Sequence, residues 1–185
     1  MAFNRYYSAT KYYSRATTLA QNITCIFLSH QQKDKEQARK IADFLIRAGI
    51  DVYFDEYDAD LKLHHQSNNA KAVTEAIKKG INNSSHMLVI VSPHTMYSTW
   101  VPFEVGYGHD KTDLNVLCLK GIQKGHLPEY LKTSTILRDI YDLNKFISKT
   151  TKQAEVRLMS EHKIYSYDES NHPLSTVMDS LINER

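Results

Sequence analysis

A single carboxylate, Glu104, stands one helical turn after the only tryptophan of the chain, Trp100. The segment that carries both, residues 92–109, follows an apolar run from His86 to Val91 that reads as a fully buried strand. Ser98 or Thr99 is placed to cap a helix there, and Pro102 is tolerated because first-turn amides have no intrahelical acceptor to lose. Such a helix sets Trp100 and Glu104 on one face. The ring could then pack against a planar base or the apolar side of a ribose while the carboxylate reaches the sugar. The same spacing also fits a core tryptophan beside a solvated helix acid, which is what most such pairs are.

Competing constellations are absent or incomplete. The nine histidines form no H-E-x-x-H and no Cys/His ligand set, so no metal site is expected and His64-His65 reads as an exposed loop pair. Ser92 and His94 are close in sequence, but no G-x-S-x-G elbow surrounds any serine. Gly106-Tyr107-Gly108 lacks the third glycine and the strand-to-helix placement of a dinucleotide fingerprint, and no Walker A loop exists.

The elements that must position these residues alternate between strand and helix. Residues 23–29 are β-branched and aromatic-rich and predict a first central strand. Asp34 with Gln37 has capping-box spacing, and Ala38, Ile41, Ala42 and Leu45 predict a helix ending at Gly49. Residues 50–54 predict a short strand, followed by a polar loop through residue 69. Val73, Ala76, Ile77 and Ile81 predict the next helix, stopped by residues 82–85. Strands then follow at 86–91 and 114–119, with an edge strand at 135–137. Residues 127–131 predict a turn and short helix; Leu143, Phe146 and Ile147 form a helix face. Behind Pro173, the periodic Leu174, Val177, Met178, Leu181 and Ile182 predict a terminal helix packed on the sheet. The expected class is α/β with a parallel sheet covered on both faces.

Composition narrows the partners. At 185 residues the chain suits one domain plus tails: an N-terminal arm over 1–22 with a repeated Tyr-Tyr-Ser, a core over 23–150, and a C-terminal extension over 151–185. The arm reads either as a contact for a neighbouring subunit or as a loosely ordered terminus. Twenty-three basic and 21 acidic residues, spread without a basic block, argue against a nucleic-acid surface. No apolar run is long enough to span a bilayer, and the first residues lack the apolar region of a secretion signal. With Cys25 and Cys118 inside buried strands, the expectation is a cytoplasmic protein without disulfides.

Four stretches arrive in a telling order: Cys25-Ile26-Phe27-Leu28-Ser29-His30, then Val52-Tyr53-Phe54-Asp55, then Leu88-Val89-Ile90-Val91-Ser92, then Ser98-Thr99-Trp100-Val101-Pro102-Phe103-Glu104. Together they resemble the TIR (Toll/interleukin receptor) domain. The resemblance implies a flavodoxin-like three-layer sandwich around a central parallel five-stranded sheet. It further implies cleavage of the nicotinamide–ribose bond of NAD, with Glu104 catalytic and NAD as substrate, without a separate cofactor. The implied cleft is bordered by Ser29, His30 and Gln31, by Asp55 and Tyr57, by Ser92, and by Ser98 with Trp100. A stand-alone TIR of this size is most similar to bacterial proteins of Thoeris-type anti-phage defence, which imply a homo-oligomer and a diffusible ADP-ribose-derived product acting on a separate effector. Gln31-Gln32 stand where some catalytic members carry arginines, so the resemblance does not assign the phosphate ligands. A non-catalytic interaction module and a nucleotide sensor that does not cleave remain alternative readings of the same residues.

Overall fold

The computed structural model describes residues 2–7, 23–54, 70–123, 126–153 and 172–180. Five strands form one parallel sheet: β1 (Cys25–Ser29), β2 (Asp51–Tyr53), β3 (His86–Val91), β4 (Asp113–Cys118) and β5 (Thr135–Leu137), in the order β2-β1-β3-β4-β5. The helices are α1 (Lys35–Arg47), α2 (Ala70–Asn82), α3 (Trp100–Gly108) and α4 (Ile140–Thr151). Ile26, Leu28, Leu88 and Ile90 pack with α1 and α4, whereas Phe27, Met87, Val89 and Val91 pack with α2 and α3. Alternate residues of β1 and β3 therefore feed opposite faces, which is why these strands read as continuous apolar runs. The α/β class and the five-stranded parallel sheet are as the sequence leads one to expect.

The local chemistry of each boundary is visible. Gly49 adopts φ 85° just past α1, a left-handed position that favours glycine, and Ile50 N–H bonds back to Leu45 O at 3.0 Å. At Gly80 of α2 a Cβ would lie 2.6 Å from the Tyr53 ring and 2.8 Å from the Phe27 ring, so the missing side chain lets α2 approach β1 and β2. Burial raises the thiols of Cys25 and Cys118, to about 12 and about 11, leaving both as small hydrophobes.

Three expectations change. Asp34 occupies the N-cap position of α1 but makes no side-chain cap bond, because its carboxylate is turned to Ser92 and His94 instead. The predicted terminal helix is not one within the described residues: 173–177 form turns, and the segment then runs alongside the core. Leu174, Val177 and Met178 are buried as the sequence pattern requires, yet backbone bonds from Lys120 N–H to Val177 O and from Ile140 N–H to Asp179 O draw the chain out of helical geometry. Of the arm expected over 1–22, residues 3–7 dock on their own sheet, while its second Tyr-Tyr-Ser, residues 12–14, lies outside the described residues. Val52 N–H donates to Phe3 O, the Asn4 side chain bonds Phe54 N–H and O, and Arg5 Nε meets Asp51 Oδ2 at 2.8 Å. This segment covers the free edge of β2, which would otherwise expose unpaired backbone groups. No helix among the described residues is long and apolar enough to cross a membrane.

Candidate functional site

In this strand order the chain leaves β1 toward β2 and returns across it to β3, so the β1/β3 boundary is a topological switch point. From there the chain runs to α1 on one face of the sheet and to α3 on the other, the arrangement at whose strand carboxyl ends open α/β sheets bind ligands. Ser29 is the last residue of β1, and its parity with Phe27 aims it toward α3.

Glu104 meets it from α3. Val101, Glu104, Val105 and Gly108 are the buried positions of that helix, spaced i, i+3, i+4 and i+7, so the acid sits on the stripe that faces the sheet. The residue is 8% exposed. Ser29 Oγ donates to Glu104 Oε2 at 2.5 Å. Burial pushes the carboxyl up to about 7, opposed by the Ser29 hydrogen bond, which favours the anion. A carboxyl poised near neutrality at the carboxyl ends of the strands is an arrangement that functional sites favour.

The other sequence-selected residues divide. Trp100 is half-buried at the start of α3 and meets Phe103 edge-on, ring centroids 6.0 Å apart, while Phe103 stacks on Tyr107. Ser98 Oγ accepts from Val101 N–H at 3.2 Å, so it holds the first turn of α3. His30 tilts against Phe54 at 5.2 Å, and its Nδ1 lies 3.3 Å from Leu28 O. The Gln31 side-chain oxygen accepts from Lys33 N–H and caps the short turn Gln32–Asp34. Asp55 and Tyr57 lie outside the described residues, as do His64 and His65.

Ser92 faces the other side of the sheet from Ser29, in step with Leu88 and Ile90. Its Oγ donates to Asp34 Oδ2 at 2.5 Å and accepts from His94 N–H at 2.9 Å. His94 Nδ1 lies 2.8 Å from the other Asp34 oxygen. Asp34 and His94 were not selected from the sequence, because an acid before a helix looks like a cap and a lone loop histidine carries no motif.

Among the described residues no group of three or more His, Cys, Asp or Glu side chains could hold a metal ion. A cavity of about 220 Å³, lined in part by His86, Asp113, Lys149 and Lys152, lies at the amino ends of β3 and β4, the edge opposite Glu104.

Residues 26–157 match the family described as TIR domain. Over 80 residues the chain is 29% identical to the 2' cyclic ADP-D-ribose synthase BtTIR of Bacteroides thetaiotaomicron. That alignment takes in 43% of this chain and 25% of the relative, so the chain spans about a quarter of that protein's length. Among solved structures, a metazoan TIR-STING receptor from C. gigas aligns with a TM-score of 0.49 at 20% identity, covering 70% of this chain and 40% of the receptor chain.

Proposed function

The chain belongs to the TIR-domain family, and from that membership together with the buried Glu104 we propose that it cleaves the bond between nicotinamide and ribose in NAD. The observation that carries this reading is the Glu104 carboxyl, raised to about 7 by burial and held by Ser29 at the topological switch point.

Breaking the glycosidic bond sends its electron pair to the pyridinium nitrogen, so nicotinamide leaves neutral and needs no acid to protonate it. Positive charge develops instead on the anomeric carbon and ring oxygen, as in other glycosyl transfers. An anionic Glu104 beside the ribose stabilises that charge and orients the sugar hydroxyls. Because it is already fixed by Ser29 and shielded from water, little reorganisation is needed during reaction. The nucleophile then bonds to the anomeric carbon and releases a proton to solvent. Water gives ADP-ribose; a hydroxyl of the same ADP-ribose gives a cyclic isomer. The relative named as a 2' cyclic ADP-D-ribose synthase supports the cyclic outcome.

On this reading Trp100 borders the nicotinamide ribose, and Ser29 acts through Glu104. His30, Gln31, Asp55, Tyr57, Ser92 and Ser98 are read as the surrounding wall, with a second copy of the chain completing the site. The product is read as a signal in anti-phage defence acting on a separate effector, on the resemblance of residues 23–150 to defence TIR proteins.

Incubating the purified protein with NAD, with and without phage lysate, tests the reaction. We expect nicotinamide release that falls about a hundredfold or more in Glu104→Gln, the scale on which a preorganised electrostatic group acts. Equal release by both proteins would remove Glu104 from the chemistry. Mass and retention of the sugar product separate ADP-ribose from a cyclic isomer.

A further inference from the structure

We propose that His94, held by Asp34, receives the diphosphate of the bound dinucleotide, an inference that rests on the NAD reading above. Asp34 is 2% exposed, and a carboxylate so buried needs hydrogen-bond donors on its oxygens. Ser92 Oγ supplies one and His94 Nδ1 the other, at 2.5 and 2.8 Å. Committing Nδ1 to Asp34 fixes the ring's orientation and directs Nε2 away from the carboxylate, as a second carboxylate partner does for ligand histidines. The His94 side chain is 48% exposed. Its Nε2 has no hydrogen-bond partner among the described residues.

Position makes this nitrogen relevant to a dinucleotide. His94 lies three residues past the end of β3, at the carboxyl edge of the sheet that Ser29 and Glu104 approach from the other face. Ser29 pairs with Val89, so Ser92 lies three residues further in the strand direction, roughly 10 Å on. In NAD the diphosphate lies across one ribose from the bond that Glu104 addresses. A sugar at Glu104 with its 5′ side turned along the strand direction brings the phosphates toward the loop that carries His94. With a phosphate oxygen at Nε2 the ring would sit between two anions, the setting in which both nitrogens donate, one to Asp34 and one to the phosphate, a pair of charge-assisted bonds. This role falls to a histidine in a chain whose first loop carries Gln31 and Gln32. Asp34 acts as a positioning residue, through His94.

The test uses Glu104→Gln as the parent, so that turnover does not consume the ligand. Calorimetry should show NAD binding about tenfold weaker when His94→Ala is added, the loss of one charge-assisted hydrogen bond. His94→Gln should lose a similar factor, with the melting temperature of each variant within a few degrees of the parent. Inorganic pyrophosphate should compete with NAD for the parent and move the His94 ring resonances in its NMR spectrum. Unchanged NAD affinity in both His94 variants, or competition by pyrophosphate that leaves those resonances in place, would overturn the assignment. A parent that binds no NAD would instead sink the proposed function, and this inference with it.

Discussion

Glu104 replaces what should be an apolar residue. Val101, Val105 and Gly108 share its stripe on α3, and the helix packs that stripe against β1 and β3. Holding a carboxyl there has a stability consequence with a definite sign. Between its ordinary value of 4.5 and about 7 the folded protein keeps a proton that the unfolded chain has released. Stability therefore falls as pH rises through that window, by about 3 kcal/mol in all. Glu104→Gln has no proton to lose, so it should match the wild type in urea unfolding at pH 4 and exceed it by up to about 3 kcal/mol at pH 8. Equal stability at both pH values would mean that the carboxyl is not buried as described. Ser29 is the counterweight: its hydrogen bond favours the anion, so Ser29→Ala should raise the Glu104 pKa by about one unit or more, read from the carboxyl carbon by NMR. The sequence contained this signal in the spacing 101, 104, 105, 108, an acid in a buried stripe. Pairing Glu104 with Trp100 found the residue by a weaker route, since the buried stripe of the helix holds Glu104 and not the half-buried tryptophan.

Elements were legible where one physical pattern dominated. The strand at 86–91, the edge strand at 135–137 and the Gly49 stop after α1 all follow from apolar runs and turn chemistry that tertiary contacts only reinforce. Where local and long-range partners compete, the sequence misled. Asp34 has the right type and place for a cap, yet Ser92 and His94, nearly sixty residues away, take its oxygens. Residues 174–178 carry helical spacing, but a single turn buries the same side chains while the backbone is claimed by Lys120 and Ile140. Gly80 offers a test at this scale. Alanine in an exposed helix would gain about 1 kcal/mol over glycine. Here the added Cβ falls within 3 Å of both the Tyr53 and Phe27 rings, which stack 6.0 Å apart. Overpacking of this kind costs about 1–3 kcal/mol, so Gly80→Ala should be net destabilising in urea unfolding. A variant as stable as the wild type would show that the rings can yield.

At the scale of the molecule, two segments flanking the core stabilise the sheet that places Ser29 and Glu104. Residues 174–178 close the face covered by α1 and α4, and residues 3–7 close the edge at β2. Arg5 is a buried tie, its side chain 3% exposed, bonded to Asp51 and to Asn83 O beyond α2. Arg5→Ala leaves the Asp51 carboxylate buried without its cation, a loss of about 3–5 kcal/mol measurable as a lower urea midpoint. An unchanged midpoint would mean that the segment only decorates the edge. On the proposed reading all of this serves one carboxyl whose charge sets the rate, so the pH dependence of kcat/KM for nicotinamide release from NAD is the most direct test. That parameter reports groups on the free enzyme. The buried Glu104 predicts a rate that climbs tenfold per pH unit below about 7 and levels above it. A profile flat from pH 5 to 8, or one that falls with rising pH, would contradict a catalytic Glu104 carboxylate.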